Sequence, residues 1–149
     1  MTAVASTRNA ARRVLGVDLG ARRIGLAVSD PTGTIASPHA VLRRSGDRAA
    51  DHRRLAEMAA ELGAERVVVG LPLALSGRVT RAAEEAMAEA KSIAEVVALP
   101  VEVHDERLTT VSAERAMRAL GSKGQDRRRA VDKVAAAVML QSWLDGRHP

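Results

Sequence analysis

VLGVDLGARRIGLAVS, residues 14–29, holds two short apolar runs, Val14–Asp18 and Ile24–Ser29, on either side of Gly20–Arg23. Runs of this length around a tight glycine-containing turn fold back on each other as antiparallel strands, so the chain opens as a hairpin. Beyond the Pro31–Gly33 turn, Thr34–Leu42 supplies a third strand. Pro38 has no amide to donate, which confines that strand to an edge or breaks it. Further along, Leu55, Met58, Ala59 and Leu62 recur at helical spacing after Asp47, and Gly63 stands where a C-terminal cap belongs, so residues 48–62 read as an amphipathic helix. The β-branched run Arg66–Gly70 is of the kind buried in a parallel sheet. A loop through Pro72 and Gly77, an Ala- and Glu-rich helix over 79–97, and a strand at Val101–Asp105 after Pro100 follow. A helix from a Thr110 cap to Leu120, a break at Gly121–Gly124 and a final helix from near Arg128 to Leu144 complete the pattern. Three antiparallel strands and then alternating helices and strands predict an α/β domain with a mixed five-stranded sheet and helices on both faces.

Composition narrows the function. With 149 residues, 46% hydrophobic and 28% charged, the chain is expected to form one domain over 13–149, preceded by a loose basic tail at 1–12. There is no cysteine for a disulfide or thiolate site, and Trp143 is the sole aromatic residue, so stacking bases on aromatic platforms is nearly excluded. No apolar run is long enough for a membrane span or a signal peptide, and a cytoplasmic protein with no membrane partner is expected. Twenty of the 23 basic residues are arginine, whose planar fork suits phosphate. Residues 1–54 carry ten basic and four acidic groups, 55–100 four and seven, and 101–149 nine and seven. If the two basic ends meet in the fold, one face attracts phosphate and the opposite face does not.

Cofactor motifs are absent: neither GxGxxG nor GxxxxGK[ST] occurs, the four histidines lack zinc spacing, and there is no GxSxG elbow. What remains is carboxylate. Asp18 ends an apolar strand in the middle of the expected sheet, where it serves either as a ligand or as a turn former bonding to the Gly20 backbone. Strand alternation puts Glu106 on the face of Glu102 and His104, opposite Val101, Val103 and its competitor Asp105. Asp132 is in line with Ala135, Ala136, Met139 and Trp143 and so faces inward, unless it simply complements the dipole of its helix. Three inward carboxylates repel one another unless a cation joins them, and an all-oxygen set selects Mg²⁺ or Mn²⁺. One or two such ions hydrolyse a phosphodiester with no protein nucleophile.

Four ordered blocks carry a family resemblance: GVDLGARRIGLAVSD (16–30), VVVGLPLALSG (67–77), LPVEVHDERLTTVSA (99–113) and VDKVAAAVMLQSWL (131–144). Together they resemble the YqgF family over about residues 14–145. These are ribonuclease H-like proteins described as candidate Holliday-junction resolvases and as nucleases maturing the 5′ end of pre-16S ribosomal RNA. The resemblance implies a ribonuclease H-like fold and places the family's three metal-binding acids on Asp18, Glu106 and Asp132. It also sets Gly70, Leu71 and Pro72 in a loop near the active-site end. One departure stands there: Ala74, Leu75, Ser76 and Gly77 replace the Asn and the acidic turn common in the family, which removes a substrate-positioning group but none of the three acids.

The expected activity is a metal-dependent phosphodiesterase acting on ribosomal RNA precursors, with the ribosomal particle as a further partner and a monomer or weak dimer as the working form. Cleavage of four-way DNA uses the same chemistry and favours a two-fold dimer. A nucleic-acid or ribosome-binding module without turnover is the reading of another class, and the three intact acids argue against it. Arg22, Arg23, Arg107, Lys123, Arg127, Arg128 and Arg129 are the expected phosphate contacts, stronger as a cluster than singly.

Overall fold

The computed structural model describes residues 13–72, 76–105 and 124–147, the last segment by its backbone alone up to residue 131. The expected tail at 1–12 and the expected helix from Thr110 to Leu120 lie outside these residues. The hairpin is formed by β1 (Arg13–Leu19) and β2 (Arg23–Ser29), with Asp18 opposite Gly25 and the Gly20 amide donating to the Arg23 carbonyl at 3.0 Å. Strand β3 (Ala36–Arg43) pairs antiparallel with β2 and lies at the sheet edge, where a proline is tolerated. The register shifts between Leu26 and Ala27, leaving His39 as an extra residue beside Pro38, so the strand bulges at the proline and does not end there.

Helix α1 (Arg48–Leu62) runs over the expected residues. Asp47 caps its start by accepting from the Ala50 amide, and Gly63 closes it with φ 67°. Strand β4 (Ala64–Leu71) pairs parallel with β1, helix α2 (Arg81–Val97) starts at a Thr80 cap, and β5 (Val101–Asp105) pairs parallel with β4. The spatial order is β3-β2-β1-β4-β5, the mixed five-stranded sheet expected. The last helix, α3 (Gly124–Arg147), begins four residues earlier than Arg128. Glycine does not break it there because its penalty is the entropy of fixing a flexible backbone inside a helix, and at the helix start, where glycine is an accepted residue, that penalty is small.

Alternation along the strands sorts the core into two layers. Leu15, Val17, Ile24, Leu26, Val67 and Val69 point to α1 and α2, where Leu55, Ala59, Ala90 and Ile93 meet them. Val14, Ala27 and Val68 point the other way, to Ala136, Met139, Leu140, Trp143 and Leu144 of α3. The helices thus cover both faces. Gln141 pins α3 to the edge of the sheet, its Oε1 accepting from the Ala36 amide at 2.8 Å.

Candidate active site and nucleic-acid interface

The parallel strands β1, β4 and β5 end side by side, and open α/β sheets bind ligands at the carboxyl ends of such strands. Asp18 is one residue from the end of β1. Gly16 lies against Leu140 of α3 and Val17 packs on the opposite layer, so alternation brings Asp18 out, half-buried, on the α3 face. Its cross-strand partner is Gly25. A Cβ added to Gly25 would stand 2.2 Å from the Asp132 carbonyl oxygen and 3.5 Å from the Asp132 Cβ, so α3 touches the sheet here only because the residue is glycine. Directly opposed Cβ positions in an antiparallel pair are about 5 Å apart. Asp18 and Asp132, 114 positions apart in the chain, therefore share one patch of surface. Ala135, Ala136, Met139 and Trp143 are all buried, as the inward reading of Asp132 requires.

The cation beside Asp132 in the structure is Arg23, whose Nε donates to Oδ2 at 2.7 Å with both side chains about a third exposed. Arg23 was expected to face phosphate. It is held by a carboxylate, and it relieves part of the repulsion that close acids would otherwise feel. On β5 the face assignments agree with alternation. His104 meets Ser142 of α3 at 3.0 Å and Glu102 pairs with Arg66 at 2.6 Å, while Asp105 stands in register with Leu71, where alternation assigns it to the other side. Burial pushes His104 below its ordinary pKa, against the opposing charges of Asp105 and Glu102.

Glu106, Arg107 and Lys123 lie outside the described residues. Arg127, Arg128 and Arg129 fall in the first turns of α3, their side chains likewise outside what is described. Ala74 and Leu75 lie outside too, whereas Ser76 lies in a turn and Gly77 after it has φ 87°. Among the described residues no three His, Asp or Glu side chains form a metal-binding group. Asp18 and Asp132, the two acids beside Gly25, offer only hard oxygen donors, and the fit to Mg²⁺ or Mn²⁺ extends to that donor chemistry.

At the same end of the sheet, a pocket of about 490 Å³ is lined by Ala21, Arg22, Arg43, Arg44, Arg48 and Asp51, with Gly46 at its rim. Arg22 was among the expected phosphate contacts; Arg43, Arg44 and Arg48 were not. The adjacent pair Arg43–Arg44 at the end of β3 is the sequence signal that could have pointed to them. Arg44 is fixed from below. Its Nη1 and Nη2 bond the two oxygens of buried Glu89 at 2.8 and 2.9 Å, and its Nε donates to the Gly20 carbonyl at 2.8 Å. Glu89 also takes His52 Nε2 at 2.7 Å. Burial pushes the Glu89 carboxyl up, but hydrogen bonds from Arg44 and His52 and the charges of Arg44 and Arg48 outweigh it and hold the group below its ordinary range.

The described architecture is similar to that of RuvC from Thermus thermophilus, solved in complex with a Holliday junction substrate: TM-score 0.56 at 18% identity, covering 92% of this chain and 96% of that one. A second structure of Thermus thermophilus RuvC matches with the same TM-score at 17% identity. The fold is that of the ribonuclease H-like proteins. The chain belongs to the RuvX family, described as Holliday junction resolvase, whose model matches residues 12–146. A relative in Mycobacterium tuberculosis, named as a candidate pre-16S rRNA nuclease, is 49% identical over 137 residues, which is 91% of this chain and 79% of that protein. One of the same name in Mycobacterium leprae is 50% identical over 135 residues, 89% of this chain and 72% of its own. It is the family that the four sequence blocks indicate under the name YqgF.

Proposed function

We propose that the protein is a metal-dependent nuclease that hydrolyses phosphodiester bonds during 5′-end maturation of pre-16S ribosomal RNA. It works in the cytoplasm on RNA held in a ribosomal particle, as a monomer or weak dimer. The reading is supported by the placement of Asp18 opposite Gly25 and of Asp132 against the same glycine, at the carboxyl end of the sheet, in a chain of the RuvX family. Asp18, Asp132 and Glu106 are the acids that would hold Mg²⁺ or Mn²⁺. Continued alternation past His104 favours Glu106 over Asp105 for the third position. A bound ion of this kind lowers the pKa of an attacking water and steadies the leaving oxygen.

The remaining work belongs to the chain. Arg23 holds the Asp132 carboxylate in a fixed orientation through its 2.7 Å bond. Arg22, Arg107, Lys123 and Arg127–Arg129 draw the phosphate backbone toward the acids, a charge effect that needs no base contacts. Water's oxygen becomes bonded to phosphorus and gives up a proton as the bond from phosphorus to the leaving sugar oxygen breaks, and that oxygen takes up a proton to leave as a hydroxyl.

The RuvX description and the likeness to RuvC favour a second substrate, the four-way DNA junction. One experiment tests both: incubation of a precursor rRNA fragment and of a four-way DNA junction with the protein in Mg²⁺, Mn²⁺ or Ca²⁺. Cleavage of the RNA fragment in Mg²⁺ or Mn²⁺ but not in Ca²⁺, whose larger ion tolerates loose coordination, is the expected result. Full activity in excess EDTA would end the metal reading, and cleavage confined to the junction would replace the RNA substrate by DNA.

A further inference from the structure

The pocket beside the hairpin turn has no part in holding the acids, yet four arginines and a single carboxylate line its walls. Arg22 comes from the β1–β2 turn, Arg43 and Arg44 from the end of β3, and Arg48 from the first turn of α1. Arg22, Arg43 and Arg48 are exposed, and Arg22 and Arg43 have no ion pair among the described residues. Arg48 approaches Glu89 only to 3.8 Å with 64% of its side chain exposed. The carboxylate in the wall is committed elsewhere: Asp51 accepts from the Ser45 hydroxyl at 2.8 Å and from the Ser45 amide at 3.2 Å. Arg44 is immobilised by Glu89 and the Gly20 carbonyl, so the floor of the pocket is a rigid guanidinium. The N-terminus of the 15-residue helix α1 opens at the same place and adds its positive dipole end. Within the sheet, Arg43 stands in register with Arg23, whose Nε is on Asp132. Arg43, on one wall of the pocket, is therefore one strand away from the arginine that holds Asp132, while Arg44 and Arg48 reach toward Glu89 on the other side of the sheet.

We infer that this pocket is a backbone-phosphate subsite for the nucleic-acid substrate, with Arg22, Arg43 and Arg48 as the contacting groups and Arg44 as their fixed base. The assignment rests on the nuclease reading and adds a second anchor to it, distinct from the carboxylates. Forked guanidiniums from three elements converge on one concave site, which suits a tetrahedral oxyanion with several acceptor oxygens better than a carboxylate or a base edge.

The test is binding of a 5′-labelled single-stranded RNA to the metal-free protein in EDTA, across a salt series, for the parent and for Arg43→Ala/Arg48→Ala. Both substituted side chains are exposed and Arg44 keeps Glu89 neutralised, so the variant should melt within a few degrees of the parent. The expected result is a salt slope shallower by about 0.7, the value of one phosphate on a single strand, and affinity lower by roughly fivefold at 0.1 M salt. Arg22→Ala, at the exposed turn, repeats the measurement from another wall of the pocket. An unchanged slope in both variants, with the parent binding RNA, would overturn the subsite and leave the nuclease reading in place. A parent that binds neither this RNA nor a labelled four-way DNA junction under the same conditions would overturn both. A third arm measures melting in inorganic pyrophosphate. If pyrophosphate stabilises the parent but not the double variant while RNA affinity is unaffected, the pocket takes a free anion, and the backbone assignment is wrong.

Discussion

Asp18 and Asp132 reach one patch by separate routes, the first as the end of a central strand and the second as an inward position of a helix laid over a glycine. Much of this is legible in the chain: the i+3, i+4, i+7 and i+11 series behind Asp132 fixes its face before any tertiary contact is known. Arg23 is not legible, because nothing in local spacing pairs it with a residue 109 positions away. Its presence alters what neutralisation should do. A carboxylate pressed only against like charges gains stability on becoming an amide, but Asp132 also loses an ion pair. With both partners about a third exposed, that loss is at most about 1 kcal/mol. Asp18→Asn, Glu106→Gln and Asp132→Asn should each abolish cleavage and each reduce the rise in Tm that Mn²⁺ gives the parent. In the absence of metal, Asp132→Asn should melt no more than a few degrees lower. Asp105→Asn, on the opposite layer, should keep measurable activity. A dead Asp105→Asn beside an active Glu106→Gln would exchange the two residues in the site. Undiminished Mn²⁺ stabilisation in all three acid variants would remove them from metal binding.

Secondary structure is legible wherever a cap or a β-branched run marks an element. Asp47 and Gly63 bracket α1 as expected, and VVVG lies in β4 between strands on both sides. The start of α3 is not legible, because glycine signals a break in a helix interior but costs little at a helix start, and sequence does not say which of these a glycine occupies. The contact between elements at Gly25 was invisible for a similar reason: a glycine in a strand announces close approach without naming the neighbour. That contact carries a prediction. In Gly25→Ala the new methyl would meet the Asp132 carbonyl oxygen at 2.2 Å, and backbone cannot yield as a side-chain tip does. Either α3 lifts or β2 bends, at a cost of roughly 1 to 3 kcal/mol, and Asp132 moves away from Asp18. Thermal melting and cleavage rate measure the two consequences. The Tm should fall by several degrees and the rate by more than instability alone removes. A variant that melts and cleaves like the parent would show that α3 is not seated on this glycine.

Across the molecule, α3 packs on β1, β2 and β3, so the two basic ends of the sequence are brought together, while the acidic stretch 55–100 supplies β4, α2 and the end of α1. The side of the sheet away from α3 is nevertheless not without cations, for the Glu89 cluster draws Arg44, Arg48 and His52 into α1, α2 and the β3–α1 loop. This cluster was not legible because its members come from three elements, and no local spacing ties Glu89 to Arg44, Arg48 or His52. It makes the stability of the whole chain depend on acid pH in a direction that can be worked out. The Glu89 carboxyl is held below its ordinary value of 4.5, so its stabilising effect is complete above pH 4.5 and is lost as pH falls through the lowered value. Glu89→Gln keeps the volume but leaves the half-buried Arg44 without its counter-charge. Breaking a buried pair in this way costs about 3 kcal/mol, or about 10 °C in Tm at neutral pH. The variant has no carboxyl at this position to titrate, so the gap between the two melting curves should close as pH is lowered from 7 to 3. Parallel Tm profiles over that range, with the gap constant, would mean that Glu89 does not ionise differently in the folded chain and that the cluster is held by packing rather than by charge.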